Sequence, residues 1–245
     1  MNYVKFLLLF CLVLCSVVLV HGRLDTPAVG SAYLVERVSS SPTQDTDKLV
    51  YADFETKPDP RPVSSRGGAV QLLAFQENDT LKSSFKGMEG VNAPELVRTS
   101  KDSPNKAASF DYRFLAPNQW AGVGVEIHGL PDKDGKSVPD DVSGYKYLTL
   151  QAYATGVTSL RIEFMSRGQG IVVSNGYPQM SFKVSPGFNT YKVPFKSLEQ
   201  PQWAEPKVAT KDVLKKLTAI SVTAYCGPCT PISGTVVIDN LVFQN

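Results

Sequence analysis

In the second half of the chain, aliphatic residues recur at every second position. Tyr147–Tyr153 (YLTLQAY) sets Leu148, Leu150 and Ala152 against Tyr147, Thr149, Gln151 and Tyr153. Leu160–Met165 (LRIEFM) sets Leu160, Ile162 and Phe164 against Arg161, Glu163 and Met165. Successive strand side chains point to opposite faces, so each run has one core face and one outward face. Such runs cannot be helices with one apolar stripe; they are strands half-buried in a sheet.

The same parity extends to further runs. In Ala121–His128, Val123, Val125 and Ile127 oppose Gly122, Gly124, Glu126 and His128. In Thr218–Tyr225, Ile220, Val222 and Ala224 oppose Ser221, Thr223 and Tyr225. Strands are also predicted at 49–55, 69–75, 109–115, 180–184, 190–194 and 235–243, parted by turn clusters such as Pro131-Asp132-Lys133-Asp134-Gly135. Many short strands with turns between them predict an all-β, two-sheet antiparallel sandwich or barrel. One short helix is expected around Lys211–Lys216, capped by Thr210. Strands do not alternate with helices, which excludes a parallel α/β sheet. No internal repeat is visible.

The 245-residue chain opens with Lys5 followed by an apolar run, Phe6–Val20. This length suits a signal peptide, residues 1–22, with cleavage after Gly22; an uncleaved anchor is the alternative. The expectation is a secreted protein free of the membrane after processing. Residues 23–48, rich in Ser, Thr, Asp and Pro, read as a flexible arm, and 49–245 as one domain. With 25 basic and 23 acidic side chains the charge is nearly balanced, which argues against nucleic acid as a partner.

Outside the leader the cysteines are Cys226 and Cys229 and the one histidine is His128. A disulfide between Cys226 and Cys229 is expected in an oxidising compartment. A thioredoxin-like role for Cys226-Gly227-Pro228-Cys229 fails, because Pro231 and Gly234 follow where a helix would be required. One CxxC pair cannot close a zinc tetrahedron. Glu126 and Glu163 share a predicted face, so two-carboxylate glycoside hydrolysis stays open. Asn78-Asp79-Thr80 is an N-glycosylation sequon.

Five segments, in order, carry a resemblance: Tyr51-Ala52-Asp53-Phe54-Glu55, Trp120–Glu126, Asp141–Leu148, Phe188–Phe195 and Val237-Ile238-Asp239-Asn240-Leu241. Together they resemble the galactose-binding-like jelly rolls, above all the family-11-type carbohydrate-binding modules, and also the complex I intermediate-associated protein domains. The resemblance implies a jelly-roll sandwich with a concave polysaccharide-binding face. It also implies a structural calcium, at Asp53, Glu55 and Asp239 here; calcium takes several hard oxygen ligands. The Pro-rich stretch after Glu55 departs from the family pattern.

If the patterned strands share one sheet, its outward face gathers Glu126, His128, Gln151, Tyr153, Arg161, Glu163, Thr223 and Tyr225. Tyr177 and Trp203 lie beside predicted turns and become rim candidates. Aromatic rings cover the apolar face of a sugar ring, and carboxylates, amides and guanidinium groups bond its hydroxyls. Gly122 and Gly124 are expected to hollow the surface. The expectation is a monomeric, non-catalytic glycan-binding protein. An assembly factor on the same fold, or a polysaccharide hydrolase, are the alternatives.

Overall fold

The computed structural model describes residues 47–55, 62–75, 84–128, 138–171, 176–228 and 231–245. The chain divides into Met1–Ser41, which lies outside the described residues, and Pro42–Asn245. The signal segment, the arm up to residue 46, the Asn78 sequon and Cys229 are likewise outside them. Among the described residues no helix is long and apolar enough to cross a membrane.

Twelve strands are described: β1 (Lys48–Ala52), β2 (Val70–Phe75), β3 (Ser84–Lys86), β4 (Glu95–Arg98), β5 (Lys106–Phe114), β6 (Gln119–Glu126), β7 (Tyr147–Ala154), β8 (Ser159–Met165), β9 (Gln179–Lys183), β10 (Asn189–Pro194), β11 (Ala219–Cys226) and β12 (Ile232–Gln244). A helix, α1 (Thr210–Lys215), precedes β11. Its N-cap is Ala209 rather than the predicted Thr210, and no side chain caps it. The Thr210 hydroxyl instead donates to the Leu198 carbonyl at 3.4 Å, tying the helix to the preceding loop.

The strands form two antiparallel sheets packed as a sandwich. The larger follows the order β10-β7-β12-β5-β3, with β1 also on β12 and β4 also on β5. The smaller follows β2-β6-β11-β8-β9. β12 is the hub of the larger sheet: Ile232–Ile238 pair with β5, and Leu241–Gln244 with β1. Its register against β7 shifts between Asp239 and Val242, and Asn240 adopts φ +50° there. That bulge changes the parity, so Val236, Ile238, Leu241 and Phe243 all enter the core.

Both sheets contribute their predicted aliphatic positions to one core, among them Val123, Leu150, Ile162, Phe164 and Val222. Phe243 lies within aromatic contact of Tyr51 (5.5 Å), Tyr145 (5.8 Å) and Phe195 (5.9 Å), which locks the last strand to the first. Tyr51 is fully buried, and its hydroxyl donates to the Val125 carbonyl at 3.0 Å, linking the larger sheet to the smaller.

Candidate functional site on the five-stranded sheet

Core burial of Ala121, Val123, Val125, Leu160, Ile162, Phe164, Ile220, Val222 and Ala224 turns their alternate neighbours outward. Register then aligns those neighbours across β6, β11, β8 and β9. Tyr225 stands opposite Trp120. Thr223 stands between Gly122 and Arg161, and Arg161 opposite Ser181. Ser221 stands between Gly124 and Glu163, and Glu163 opposite Gln179. Glu126 lies one step further along β6 on the same side. Glu126, Arg161, Glu163, Thr223 and Tyr225 therefore share one face, as their alternation predicts.

Gln151 and Tyr153 do not. They project from β7 in the other sheet, where Gln151 faces Asp239 and Tyr153 faces Val237 across β12. The Gln151 side-chain carbonyl accepts from Asn240 Nδ2 at 3.1 Å. Alternation fixed their parity correctly, but parity does not say which sheet a strand joins. His128 also leaves the face. It follows the end of β6, with Nε2 3.1 Å from Asp140 and Nδ1 3.2 Å from the Arg66 carbonyl. Arg66 Nε pairs with the same carboxylate at 2.6 Å, so His128 belongs to an ion-pair cluster at the sandwich edge.

The face is not hollowed at its glycines. A Cβ on Gly122 would stand 2.4 Å from Thr223 Cγ2 and 2.5 Å from the Val222 carbonyl oxygen. One on Gly124 would stand 2.7 Å from Leu73 Cδ1. The glycines are places where neighbouring side chains lie down against the sheet. Thr223 is consequently only 2% exposed and Glu126 only 1%.

One end of the face is aromatic and cationic. The Arg161 guanidinium carbon lies 5.6 Å from the Trp120 ring centroid and 5.6 Å from that of Tyr225. Tyr225 is 41% exposed, and its hydroxyl donates to Asn118 Oδ1 at 3.0 Å. Trp120 is half-buried and stands on the face. Burial pulls the Arg161 pKa down from the usual guanidinium value, while the charges of Glu163 and Tyr225 act the other way.

The other end holds a side chain that the sequence reading passed over. Arg167, in the turn after β8, is anchored by its N–H to Thr218 Oγ1 at 2.9 Å and pairs through Nη2 with Glu126 Oε1. Burial pushes the Glu126 carboxyl up, and Arg167 partly offsets that. Glu163 is also raised by burial, against the charge of Arg161 and the bond from the Tyr177 N–H at 2.8 Å. That bond holds Tyr177 at the rim, where its hydroxyl donates to the Ser166 carbonyl at 3.2 Å. Trp203, 66% exposed, lies beside it: a Cβ on Gly176 would be 2.9 Å from the Trp203 ring. No pattern in the sequence marks Arg167, because it lies in a turn outside any alternating run.

Four buried polar atoms of this face make no hydrogen bond within the protein: Glu126 Oε2, Arg161 Nε, Arg167 Nε and Gln179 Oε1. Buried polar groups are almost always satisfied, and among the described residues four of the five such atoms lie on this face, the fifth being Arg66 Nε at the sandwich edge.

The carboxylates implied for calcium lie elsewhere, around the β12 bulge. Asp239 is fully buried and accepts from Asn105 Nδ2 (2.8 Å), the Asn240 N–H (2.7 Å) and Asn240 Nδ2 (3.0 Å). Its pKa is pushed up to about 6, first by burial and further by the charges of Glu55 and Asp53. Glu55 accepts the Lys106 N–H at 2.8 Å, and Asp53 the Ser65 hydroxyl at 3.0 Å. The donor set is of the hard-oxygen kind that calcium takes. Among the described residues, however, no three such side chains converge as a metal cage.

The sandwich has the fold of the family 11 carbohydrate-binding modules. One similar structure is the family 11 module of the cellulosomal cellulase Lic26A-Cel5E of Clostridium thermocellum, at TM-score 0.51 and 14% identity, covering 81% of this chain and 94% of that one. Another is a family 11 module from Clostridium thermocellum in complex with a β-1,3-1,4-mixed-linked tetrasaccharide, at TM-score 0.51 and 14% identity, covering 81% and 96%. No family model matches the sequence, and no curated protein matches it.

Proposed function

We propose that this chain is a secreted, monomeric, non-catalytic protein that binds a polysaccharide through the outer face of its five-stranded sheet. The observation that carries the reading is the set of four unpartnered buried polar atoms between the Trp120–Tyr225 pair and the Tyr177–Trp203 rim. Hydroxyl groups both donate and accept, so a sugar chain satisfies guanidinium donors and carboxylate or amide acceptors together. Aromatic rings at both ends supply apolar area. The fold supports the same reading, since a module of that fold has been solved with a bound tetrasaccharide.

Binding is favoured over hydrolysis by how the two acids are held. Glu126 is paired to Arg167, and Glu163 accepts from Tyr177. They project from strands two apart in the sheet, a lateral separation of about 9–10 Å before their offset along the strands. A calcium at Asp53, Glu55 and Asp239 and a disulfide between Cys226 and Cys229 complete the proposal as structural supports of the termini and of the β11–β12 connection.

Native affinity electrophoresis against a panel of soluble polysaccharides tests the reading. Retardation by at least one glycan, lost in Tyr225→Ala with the melting temperature kept, is the expected result. No retardation by any glycan, with a protein recovered by pull-down instead, favours the assembly role. Release of reducing ends would return the acids to catalysis.

A further inference from the structure

We propose that Arg161 anchors an oxyanion carried by the glycan, a uronate carboxylate or a sulfate ester, so that the ligand is an acidic polysaccharide. This inference rests on the binding reading above and specifies its substrate class.

Among the described residues Arg161 is a half-buried cation of this face that makes no ion pair within 4 Å. Its guanidinium carbon lies 5.6 Å from the ring centroid of Trp120 and 5.6 Å from that of Tyr225. It joins none of the ion pairs within 4 Å, which are Arg66–Asp140, His128–Asp140 and Arg167–Glu126. Its Nε is buried and makes no hydrogen bond. Arg167, on the same face, shows the contrast, because it is matched by Glu126. The other carboxylate of the face, Glu163, acts on Arg161 only through space. Its oxygens are engaged by the Tyr177 N–H and the Ser221 hydroxyl.

A buried charge without a partner is unfavourable, and proximity to two rings offsets only part of the loss. The planar guanidinium fork matches carboxylate or sulfate oxygens in a two-bond geometry that a hydroxyl cannot reproduce. Lys183 adds a second positive charge nearby: it is exposed on the same face of β9, two residues from Ser181, which stands opposite Arg161. With Glu126 matched to Arg167, Arg161 and Lys183 face the one remaining carboxylate of the face, Glu163, whose oxygens are already engaged by Tyr177 and Ser221.

The experiment measures retention of the full chain in native gels containing polygalacturonate, a sulfated galactan, a neutral mixed-linkage β-glucan or poly-glutamate, at low and at high salt. The expected result is retention by one of the two acidic glycans at least about tenfold stronger than by the neutral glucan, weakened by salt. Whichever acidic glycan is retained identifies the anion as carboxylate or sulfate. Arg161→Gln should remove that preference, and Arg161→Lys should keep only a part of it. The wild-type preference decides the matter even where Arg161→Gln does not fold. Equal retention by neutral and acidic glycans overturns the inference and leaves glycan binding standing. Equal retention by poly-glutamate also overturns it, since charge alone would then suffice. Retention by none of the glycans overturns the binding reading itself.

Discussion

Tyr225 and Trp120 face each other across neighbouring strands of the smaller sheet, and the guanidinium of Arg161 sits 5.6 Å from the centre of each ring. The aromatic end of the candidate site is thus a cluster of two rings sharing one cation rather than two independent platforms. Its parts should respond to mutation as a unit.

Replacing Tyr225 by Phe removes only the hydroxyl bond to Asn118 and should leave glycan affinity within about threefold, as an exposed single hydrogen bond contributes little. Tyr225→Ala removes one of the two rings beside Arg161 and should lower affinity at least about tenfold. Isothermal titration with the glycan identified by gel retention checks both.

Tyr153→Ala should leave binding unchanged, since Tyr153 projects from β7 of the opposite sheet. The same titration tests it. A loss equal to that of Tyr225→Ala would relocate the site to the larger sheet.

Gly122→Ala and Gly124→Ala separate backbone crowding from side-chain crowding. At Gly122 the new methyl meets the Val222 carbonyl oxygen at 2.5 Å, and the expected loss is about 1–3 kcal/mol. At Gly124 it meets the far end of Leu73, which can turn away, so the loss should be smaller. Urea unfolding of the two variants ranks them.

Asp239 makes stability depend on pH with a definite sign. Its folded pKa of about 6 lies above its unfolded value, so the folded state holds the proton more tightly. The stabilisation is therefore complete below about pH 4 and is lost as pH rises through about 6. Asp239→Asn sets an amide NH2 against the N–H donors of Asn105 or Asn240, so it should remove this pH dependence while lowering the melting temperature at about pH 5. Added calcium should stabilise the wild type and leave Asp239→Asn unchanged. Differential scanning fluorimetry with and without chelator reads both effects.

The parity of β6, β7, β8 and β11 was legible in the sequence, because a strand with one core face puts its aliphatics at every second position. Sheet membership was not, and the difference is physical. Alternation is a property of adjacent residues, whereas β7 is placed by pairing with a strand some ninety residues later, as in Tyr147 with Gln244. That is why Tyr153 looked like a neighbour of Tyr225. β3 and β4 escaped notice for another reason: none of Ser84–Lys86 or Glu95–Arg98 is fully buried, so neither shows an apolar alternation. The Asp239 bulge and the Arg167 anchor depend on one φ angle and one turn, which no periodicity reports.

The placement of β12 also sets the order in which the molecule can assemble. This strand joins β5 to β7, yet it follows both of them in the sequence. Until it arrives, the larger sheet exists only as two separated edges, and Tyr51 lacks the Phe243 ring it rests against. Closure of the larger sheet should therefore be a late step whose rate is limited by long-range pairing.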